Sequence, residues 1–199
     1  TQGVQISSPV QVPGTTWSTL SANKTSSSCF ALRTDGTVWS WGYNGNGKLG
    51  HNNTAKYSSP TQIPGTTWSK ISAGHSHFHG IKTDGTLWAV GEADHGQLGD
   101  NTNVNKSSPV QIPGTNWSDI SCGQQASYAK KTDGTFWTWG GNHDAGDMGL
   151  NDNIKRSSPT QIPGTTWKVG QGGGRNIVAV VKTDGTLWAW GSNTYGTLA

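Results

Sequence analysis

The chain is short of several residue types that most globular proteins use freely. It has 199 residues but only 2 Cys and 1 Met, with 31% hydrophobic and 13% charged residues. No stretch approaches the roughly eighteen consecutive apolar residues of a membrane helix, and no basic-then-apolar leader opens the sequence. The net charge of +3 comes from scattered Lys and Arg. We therefore expect no membrane span and no dense basic patch for nucleic acid.

Glycine and tryptophan are unusually frequent, with 29 Gly and 11 Trp. Each Trp can bury roughly 150–250 Å², so a real core is expected in spite of the few aliphatic residues. The two cysteines, Cys29 and Cys122, occupy different places in the repeat described below. This favours two buried thiols over a repeated disulfide, with a disulfide or a reactive thiol as the alternative.

Four copies of one unit account for the whole sequence. Two phrases recur with a period of 49 to 51 residues: Ser-Ser-Pro, with its proline at Pro9, Pro60, Pro109 and Pro159, and Thr-Asp-Gly, with its aspartate at Asp35, Asp84, Asp133 and Asp184. Such a period is typical of arrays whose units bury their faces against one another. We expect a single domain over residues 1–199, with units of approximately 1–50, 51–99, 100–149 and 150–199.

Each unit is expected to form four short strands and no helix. In the second unit the apolar or alternating runs lie at 60–63, 68–72, 76–82 and 87–90. The dipeptide Pro64-Gly65 predicts a turn after the first run, and Asp84-Gly85 predicts a hairpin before the last.

The last run of each unit indicates how the units pack. Successive side chains of a strand point to opposite faces, so Trp39 and Trp41 share one face and Val38 and Ser40 share the other. Neither face is polar enough to be exposed to water. This favours small sheets that stack on one another, with the bulky Trp face of one sheet against the smaller side chains of the next. This is the packing of propeller blades. The predicted fold is all-β, a propeller of four blades of about 50 residues with four strands each.

The string from Thr34 to Gly50 resembles the regulator of chromosome condensation repeat. It contains Thr-Asp-Gly-Thr, an aliphatic-Trp-x-Trp-Gly strand and Asn-x-x-Gly-x-Leu-Gly, and variants recur in all four units. The resemblance implies a β-propeller of four-stranded blades, commonly seven. The Ser-Ser-Pro-x-Gln-Ile-Pro-Gly-Thr-Thr-Trp string is similar to propeller segments of large bacterial and phage proteins, which predicts an extracellular or virion-associated location.

Four units instead of seven leave three interpretations open. The chain closes into a four-bladed ring, it is part of a larger propeller, or it is an arc that a second copy completes. Blades shaped for a larger ring would expose two apolar faces, which soluble monomers avoid. We favour the last two interpretations.

The candidate ligand site lies on the loops that follow the Trp-x-Trp-Gly strand, because these loops differ between units. Asn, Asp, His and Tyr on Gly-rich loops can hydrogen-bond or stack on a glycan or a protein surface. The alternative is that Gly and Asn serve only the turns. The candidate ligand-binding residues are Glu92, Asp94, His95, Asn142, His143, Asp144 and Tyr195.

A second candidate is a metal site on the segment Gly74–Gly80. If this segment is a strand, alternation places the imidazoles of His75, His77 and His79 on one face, where they could bind zinc or nickel. The alternative is packing between blades, which varied residues at the equivalent positions favour. No cofactor is therefore assigned.

No catalytic constellation is present, so we expect no enzyme. Serines lack a Gly-x-Ser-x-Gly context, and the Gly-rich segment after Gln171 lacks the Lys-Ser/Thr of a phosphate loop. The predicted function is a recognition or adhesion module that binds glycan or protein through its loops, carried by a phage fibre or bacterial surface protein. The alternatives are a structural unit that joins copies through blade faces and, more weakly, a nucleotide-exchange or signalling propeller.

Overall fold

The computed structural model describes residues 7–22, 27–142, 146–168, 171–173, 177–196 and 198. All regular secondary structure in these residues is β-strand. The described residues contain no helix with the length and hydropathy of a membrane span. The strands are β1 (Trp17–Ala22), β2 (Ser28–Arg33), β3 (Val38–Gly42), β4 (Tyr57–Gln62), β5 (Trp68–Ala73), β6 (His77–Lys82), β7 (Leu87–Gly91), β8 (Lys106–Gln111), β9 (Trp117–Cys122), β10 (Ala126–Lys131), β11 (Phe136–Gly140), β12 (Arg156–Ile162), β13 (Gln171–Gly173), β14 (Ile177–Val181) and β15 (Leu187–Gly191).

The strands form four antiparallel meanders in chain order. The first sheet is β1–β4, the second β5–β8 and the third β9–β12, while the fourth contains β13, β14 and β15. The all-β prediction and the predicted runs are confirmed. The outer strand of each complete sheet comes from the Ser-Ser-Pro run of the next unit, as β4 does at Tyr57–Gln62. The sheets are therefore offset from the sequence units.

The Thr-Asp-Gly-Thr phrase builds the hairpin between the second and third strands of every sheet. In the first sheet Asp35 Oδ1 accepts hydrogen bonds from Thr37 N at 2.9 Å and Thr37 Oγ1 at 2.6 Å. Thr37 Oγ1 in turn accepts from Trp39 Nε1 at 2.9 Å. Gly36 supplies the left-handed φ of 77° that the turn requires. The same three bonds recur in the other sheets, which explains why this phrase repeats.

Neighbouring sheets pack face to face, with the predicted alternation. Phe30 and Val38 of the first sheet lie against Trp68, Ile71 and Phe78 of the second, and Phe30 stacks on Phe78 with ring centroids 4.4 Å apart. The second and third sheets and the third and fourth sheets form equivalent cores. The core is therefore a series of layers between sheets, and both faces of an interior sheet pack against a neighbouring sheet.

Candidate functional site

Because neighbouring strands run in opposite directions, the variable loops all lie at one end of the sheets. The chain reverses there after the first and third strand of each meander, and at the opposite end after the second. We call this end the loop face and define it by the described residues of 43–56, 92–105, 141–155 and 192–198. Its candidates follow β7 (Glu92, Asp94, His95), β11 (Asn142) and β15 (Tyr195). His143 and Asp144 lie outside the described residues.

Asn142 is a structural residue of its loop. Its Nδ2 donates to Asp152 O at 2.6 Å, its Oδ1 accepts from Met148 N at 3.3 Å, and the residue is only 4% exposed. Asn44 makes the equivalent bonds in the first loop, where its Oδ1 accepts from Leu49 N at 2.9 Å. These side chains hold the loop closed, so Asn142 presents little surface to a ligand.

Glu92 connects two loops. Its Oε2 accepts from Asn46 Nδ2 of the preceding loop at 3.0 Å. Lys48 lies beneath them, 3% exposed, and its Nζ donates to His75 O at 3.2 Å. Burial lowers the pKa of Lys48, and the nearby negative charge of Glu92 opposes that shift. Glu92 therefore stabilises a buried cation as well as lining the loop face.

Asp94 and His95 lie at the tip of the second loop. Asp94 is exposed and His95 is half-buried. His95 Nδ1 lies 2.9 Å from Lys155 Nζ, which donates, so this nitrogen carries the lone pair. The loops that follow β7 and β11 thus meet through a polar contact at the surface.

Two tyrosines expose aromatic surface on the same face. Tyr195 is 90% exposed. Tyr43 is 48% exposed, and the Nζ atoms of Lys48 and Lys56 each lie 5.5 Å from its ring centroid. Tyr43 and Lys56 were not among the sequence candidates. The combination of an aromatic residue with flanking lysines in an Asn/Gly-rich loop could have identified them.

The histidines of the second sheet are mostly internal. His77 and His79 are fully buried on β6, whereas His75 lies in the preceding turn, half-buried, with its Nδ1 3.0 Å from Ser76 Oγ. His79 Nε2 donates to Leu98 O at 3.2 Å, which leaves the lone pair on Nδ1, 3.4 Å from Cys122 Sγ. These imidazoles pack between the second and third sheets.

Burial controls the protonation of this cluster. It lowers the pKa of His79 to about 4 and that of His77 well below 6.5, and it raises the pKa of the Cys122 thiol to about 12. Ser127 Oγ donates its proton to Gln97 O. It therefore accepts the hydrogen bond from His77 Nε2, which lies 3.1 Å away. All three groups are therefore neutral at pH 7.

The cluster brings together a different ligand set from the one that the sequence suggested. One donor atom each from His77, His79 and Cys122 lie within 4.8 Å of one another, and His75 is not part of this group. Two imidazoles and a thiol could bind zinc after loss of the thiol proton. The hydrogen bonds just described already account for most of the buried polar atoms, so metal binding stays a prediction. Both Cys29 and Cys122 are free thiols.

Charged residues at the opposite end are engaged within their own sheets. A cation lies over two indole rings in each sheet, as Lys131 does at 4.8 Å from the centroid of Trp117 and 4.4 Å from that of Trp137. Arg33, Lys82 and Lys182 repeat this sandwich. The neighbouring hairpin aspartates accept hydrogen bonds from threonine. Alternating charges that already have partners disfavour a phosphate-binding ring.

Four-stranded meanders that pack face to face in sequence order define a β-propeller repeat protein. Residues 35–78 and 84–129 match a family model of the regulator of chromosome condensation (RCC1) repeat, and residues 172–197 match a second model of the same repeat. The chain belongs to the RCC1 repeat family.

Solved structures show the same fold. Prp20p from Saccharomyces cerevisiae matches with a TM-score of 0.79 and 20% identity, over 92% of this chain and 48% of that chain. Yeast RCC1 (Prp20) bound to Kap60 matches with a TM-score of 0.76 and 20% identity, over 92% and 46%. Human WBSCR16 matches with a TM-score of 0.72 and 20% identity, over 83% and 45%.

The chain spans less than half the length of these structures. A search of curated protein sequences finds no match. The family and the fold support a binding module.

Proposed function

We propose that this propeller segment is a non-enzymatic recognition module that contacts a protein surface through its loop face. The observation that carries the proposal is the exposed set of Asp94, Tyr195 and Tyr43. The loop of Tyr43 is held from within by Asn44, whose Oδ1 accepts from Leu49 N and whose Nδ2 donates to Asn53 O. A rigid frame with variable, exposed aromatic and charged tips is typical of recognition surfaces. Prp20 in complex with Kap60 gives a precedent for protein recognition in this fold.

A glycan is the alternative partner, since tyrosine can stack on a sugar ring. Either partner agrees with the extracellular or virion-associated location that we propose from the sequence. A nucleotide-exchange role is a weaker alternative, because the likeness to Prp20p covers 48% of that chain and shows the fold alone.

The test is direct binding of the 199-residue chain to a glycan array and to an array of purified surface proteins. We expect a protein signal that falls at least about tenfold in the variants Tyr195→Ala and Asp94→Ala, as for residues that carry binding energy. Thr115→Ala, exposed at the opposite end, is the matched control and should bind normally.

Thermal unfolding of each variant should match that of the parent chain, because neither side chain is buried. Binding that survives both loop substitutions would refute the loop face as the binding surface. A signal on glycans alone would establish the alternative.

A further inference from the structure

Two histidines and a cysteine meet between the second and third sheets, and all three differ from the residues that the repeat has elsewhere. His77 and His79 lie two residues apart on β6, so both side chains point to the same face, toward the third sheet. Cys122 is the last residue of β9 in that third sheet. Strand register gives the equivalent residues between the first and second sheets, which are Ser28, Phe30 and Ala73. Nitrogen and sulfur donors thus replace residues that have little affinity for soft metal ions.

A small residue lets these donors come together. Between the first and second sheets, Phe30 stacks on Phe78 with ring centroids 4.4 Å apart. Between the second and third sheets, His79 occupies the position of Phe30 and Ser127 occupies that of Phe78. A hydroxymethyl group therefore replaces a benzyl group beside the imidazoles. One donor atom each from the two histidines and the cysteine lie within 4.8 Å of one another.

The His79 ring is held as metal-binding histidines commonly are. Its Nε2 donates to Leu98 O at 3.2 Å, and its Nδ1 lies 3.4 Å from Cys122 Sγ. In metal sites the ring nitrogen that does not bind the metal usually donates to a carbonyl or carboxylate in this way, which fixes the tautomer and the ring orientation. His79 therefore presents the lone pair of Nδ1 to the sulfur atom of Cys122.

His77 has a buried lone pair that the protein does not use. Its Nε2 donates to Ser127 Oγ, whereas its Nδ1 has no hydrogen-bond partner although the residue is 0% exposed. A buried polar atom without a partner costs about 1–3 kcal/mol. The ring lies against Gly74, where an added Cβ would overlap its Cε1, so glycine permits this position of the imidazole. A bound metal ion would use the coordinating capacity that the ring has left over.

The distances suit a first-row metal ion. With the bond lengths typical of zinc, about 2.0–2.1 Å to nitrogen and about 2.3 Å to sulfur, two ligands lie about 3.5 Å apart. The 3.4 Å between His79 Nδ1 and Cys122 Sγ agrees with this value. The donor of His77 lies within 4.8 Å of the other two and needs to approach by about 1 Å.

Charge decides which metal ion fits this buried place best. Cys122 supplies one negative charge once its thiol proton is lost, and both imidazoles are neutral ligands. A divalent ion such as Zn²⁺ would leave one uncompensated positive charge away from water, which is costly. Lys48, itself buried, acts on His77 as a further positive charge. A monovalent ion gives a neutral complex instead, and thiolate is a ligand that selects Cu(I).

We propose that the chain binds one Cu(I) ion between its second and third sheets, through Cys122 Sγ, His79 Nδ1 and a ring nitrogen of His77. The thiol proton is released to solvent as the copper–sulfur bond forms. Copper stays in the Cu(I) state, so binding transfers no electron. Cys122 is only partly buried as a residue, so the ion enters from the side of β9. The bound ion joins β6 to β9 and thereby links two neighbouring sheets.

The test is anaerobic titration of the 199-residue chain with Cu(I), in competition with the chromogenic Cu(I) chelator bicinchoninic acid. We expect one copper ion per chain that is retained on gel filtration. X-ray absorption of the copper should show one sulfur and two nitrogen ligands. Zn²⁺ at the same concentration should not be retained, because its charge is not balanced in this site.

Three variants replace each ligand with the residue that the first interface has at that position. His77→Ser, His79→Phe and Cys122→Ala should each weaken Cu(I) binding at least about tenfold, since even residues that only support metal ligands contribute that much. The equivalent residues Ser28, Phe30 and Ala73 already pack between two sheets, so these variants should fold. Cooperative urea unfolding of the copper-free variants, followed by tryptophan fluorescence, checks this.

Cys29→Ser and His75→Asn are the matched controls. Cys29 is the second free thiol and lies on β2, and His75 lies in the turn before β6, outside the group of three donors. Both variants should bind Cu(I) with the affinity of the parent chain.

Three results would overturn the proposal. The first is a chain that retains no copper. The second is copper that any of the three ligand variants binds as tightly as the parent chain does, or that Cys29→Ser loses, because the ion would then lie elsewhere. The third is one Zn²⁺ ion per chain, held by the same three residues, which would contradict the argument from charge.

Discussion

The two buried histidines should make the protein less stable in mild acid. His79 is fully buried, and burial lowers its pKa from 6.5 to about 4. Since the folded-state pKa lies below the unfolded value, the unfolded chain takes up the proton first as the pH falls. The stabilisation is complete above pH 6.5 and is lost progressively as the pH falls from 6.5 to about 4.

The size of the effect follows from that difference. At about 1.4 kcal/mol per pH unit, the full loss from His79 is about 3 kcal/mol, of which about 2 kcal/mol is lost by pH 5. His77 acts in the same direction, because burial and the positive charges of His79, His75 and Lys48 lower its pKa further.

The assay is urea unfolding at pH 7.5 and pH 5.0, followed by tryptophan fluorescence. At pH 5.0 the hairpin aspartates remain ionised, since hydrogen bonds from threonine hold the pKa of residues such as Asp133 below 3.8. The perturbing variant is His79→Phe, because Phe30 occupies the equivalent position of the first sheet. We expect the pH-dependent loss of unfolding free energy to be smaller in this variant by about 2 kcal/mol.

Tyr128→Phe is the matched control. Tyr128 occupies the same position in the third sheet, and its hydroxyl donates to Asp147 O at 3.0 Å. Burial raises its pKa well above 10, so it stays neutral between pH 5.0 and 7.5. Tyr128→Phe should lower the free energy of unfolding by about 1 kcal/mol, equally at both pH values. If His79→Phe retains the full pH dependence of the parent chain, the assignment of that dependence to His79 is wrong.

Two further substitutions test the frame of the repeat by urea unfolding at pH 7.5. Gly99→Ala should lower the free energy of unfolding by more than about 2 kcal/mol, because φ is 79° and the new Cβ would lie only 2.7 Å from Trp139 Nε1. Gly185→Ala, with φ of 87° and no atom within 4 Å of the new Cβ, should lower it by only about 1 kcal/mol, through backbone strain. Equal losses would show that the contact with the indole costs nothing. Lys131→Met should lower the free energy of unfolding by about 1 kcal/mol, because it removes the cation between two indoles, while Lys168→Met, at an exposed lysine, should be near neutral. An unchanged stability of Lys131→Met would mean that the sandwich contributes no energy.

Much of the fold can be predicted from the sequence, because each repeat forms its hairpin through hydrogen bonds between residues that are close in sequence. The hairpin phrase fixes the turn through bonds within five residues, as in Asp35, Thr37 and Trp39, and strand alternation then fixes which faces meet. The offset between unit and sheet is not visible locally. It depends on β4 pairing with β3 across a loop of fourteen residues, 43–56, which sequence patterning does not determine.

The candidate site was only partly predictable. Asp94 and Tyr195 lie exposed on the loop face, as expected from polar and aromatic residues on variable loops. An asparagine such as Asn142 suits both a ligand contact and a turn. Only its hydrogen bonds to Asp152 O and Met148 N show that it serves the turn. Cys122 joins His77 and His79 from the next sheet, 43 residues beyond His79 in sequence, so no local spacing could reveal it.

The offset of sheet and unit also ties neighbouring units to one another. Each complete sheet takes its outer strand from the following unit, so the chain that connects two units also runs across one sheet. The layers between sheets contain buried residues such as Val38, Leu87 and Phe136, whereas Tyr195 is 90% exposed on its loop. Variation in the loops can then change what the loop face binds without altering the core. Substitution of Tyr195 should therefore affect binding and leave the free energy of unfolding unchanged.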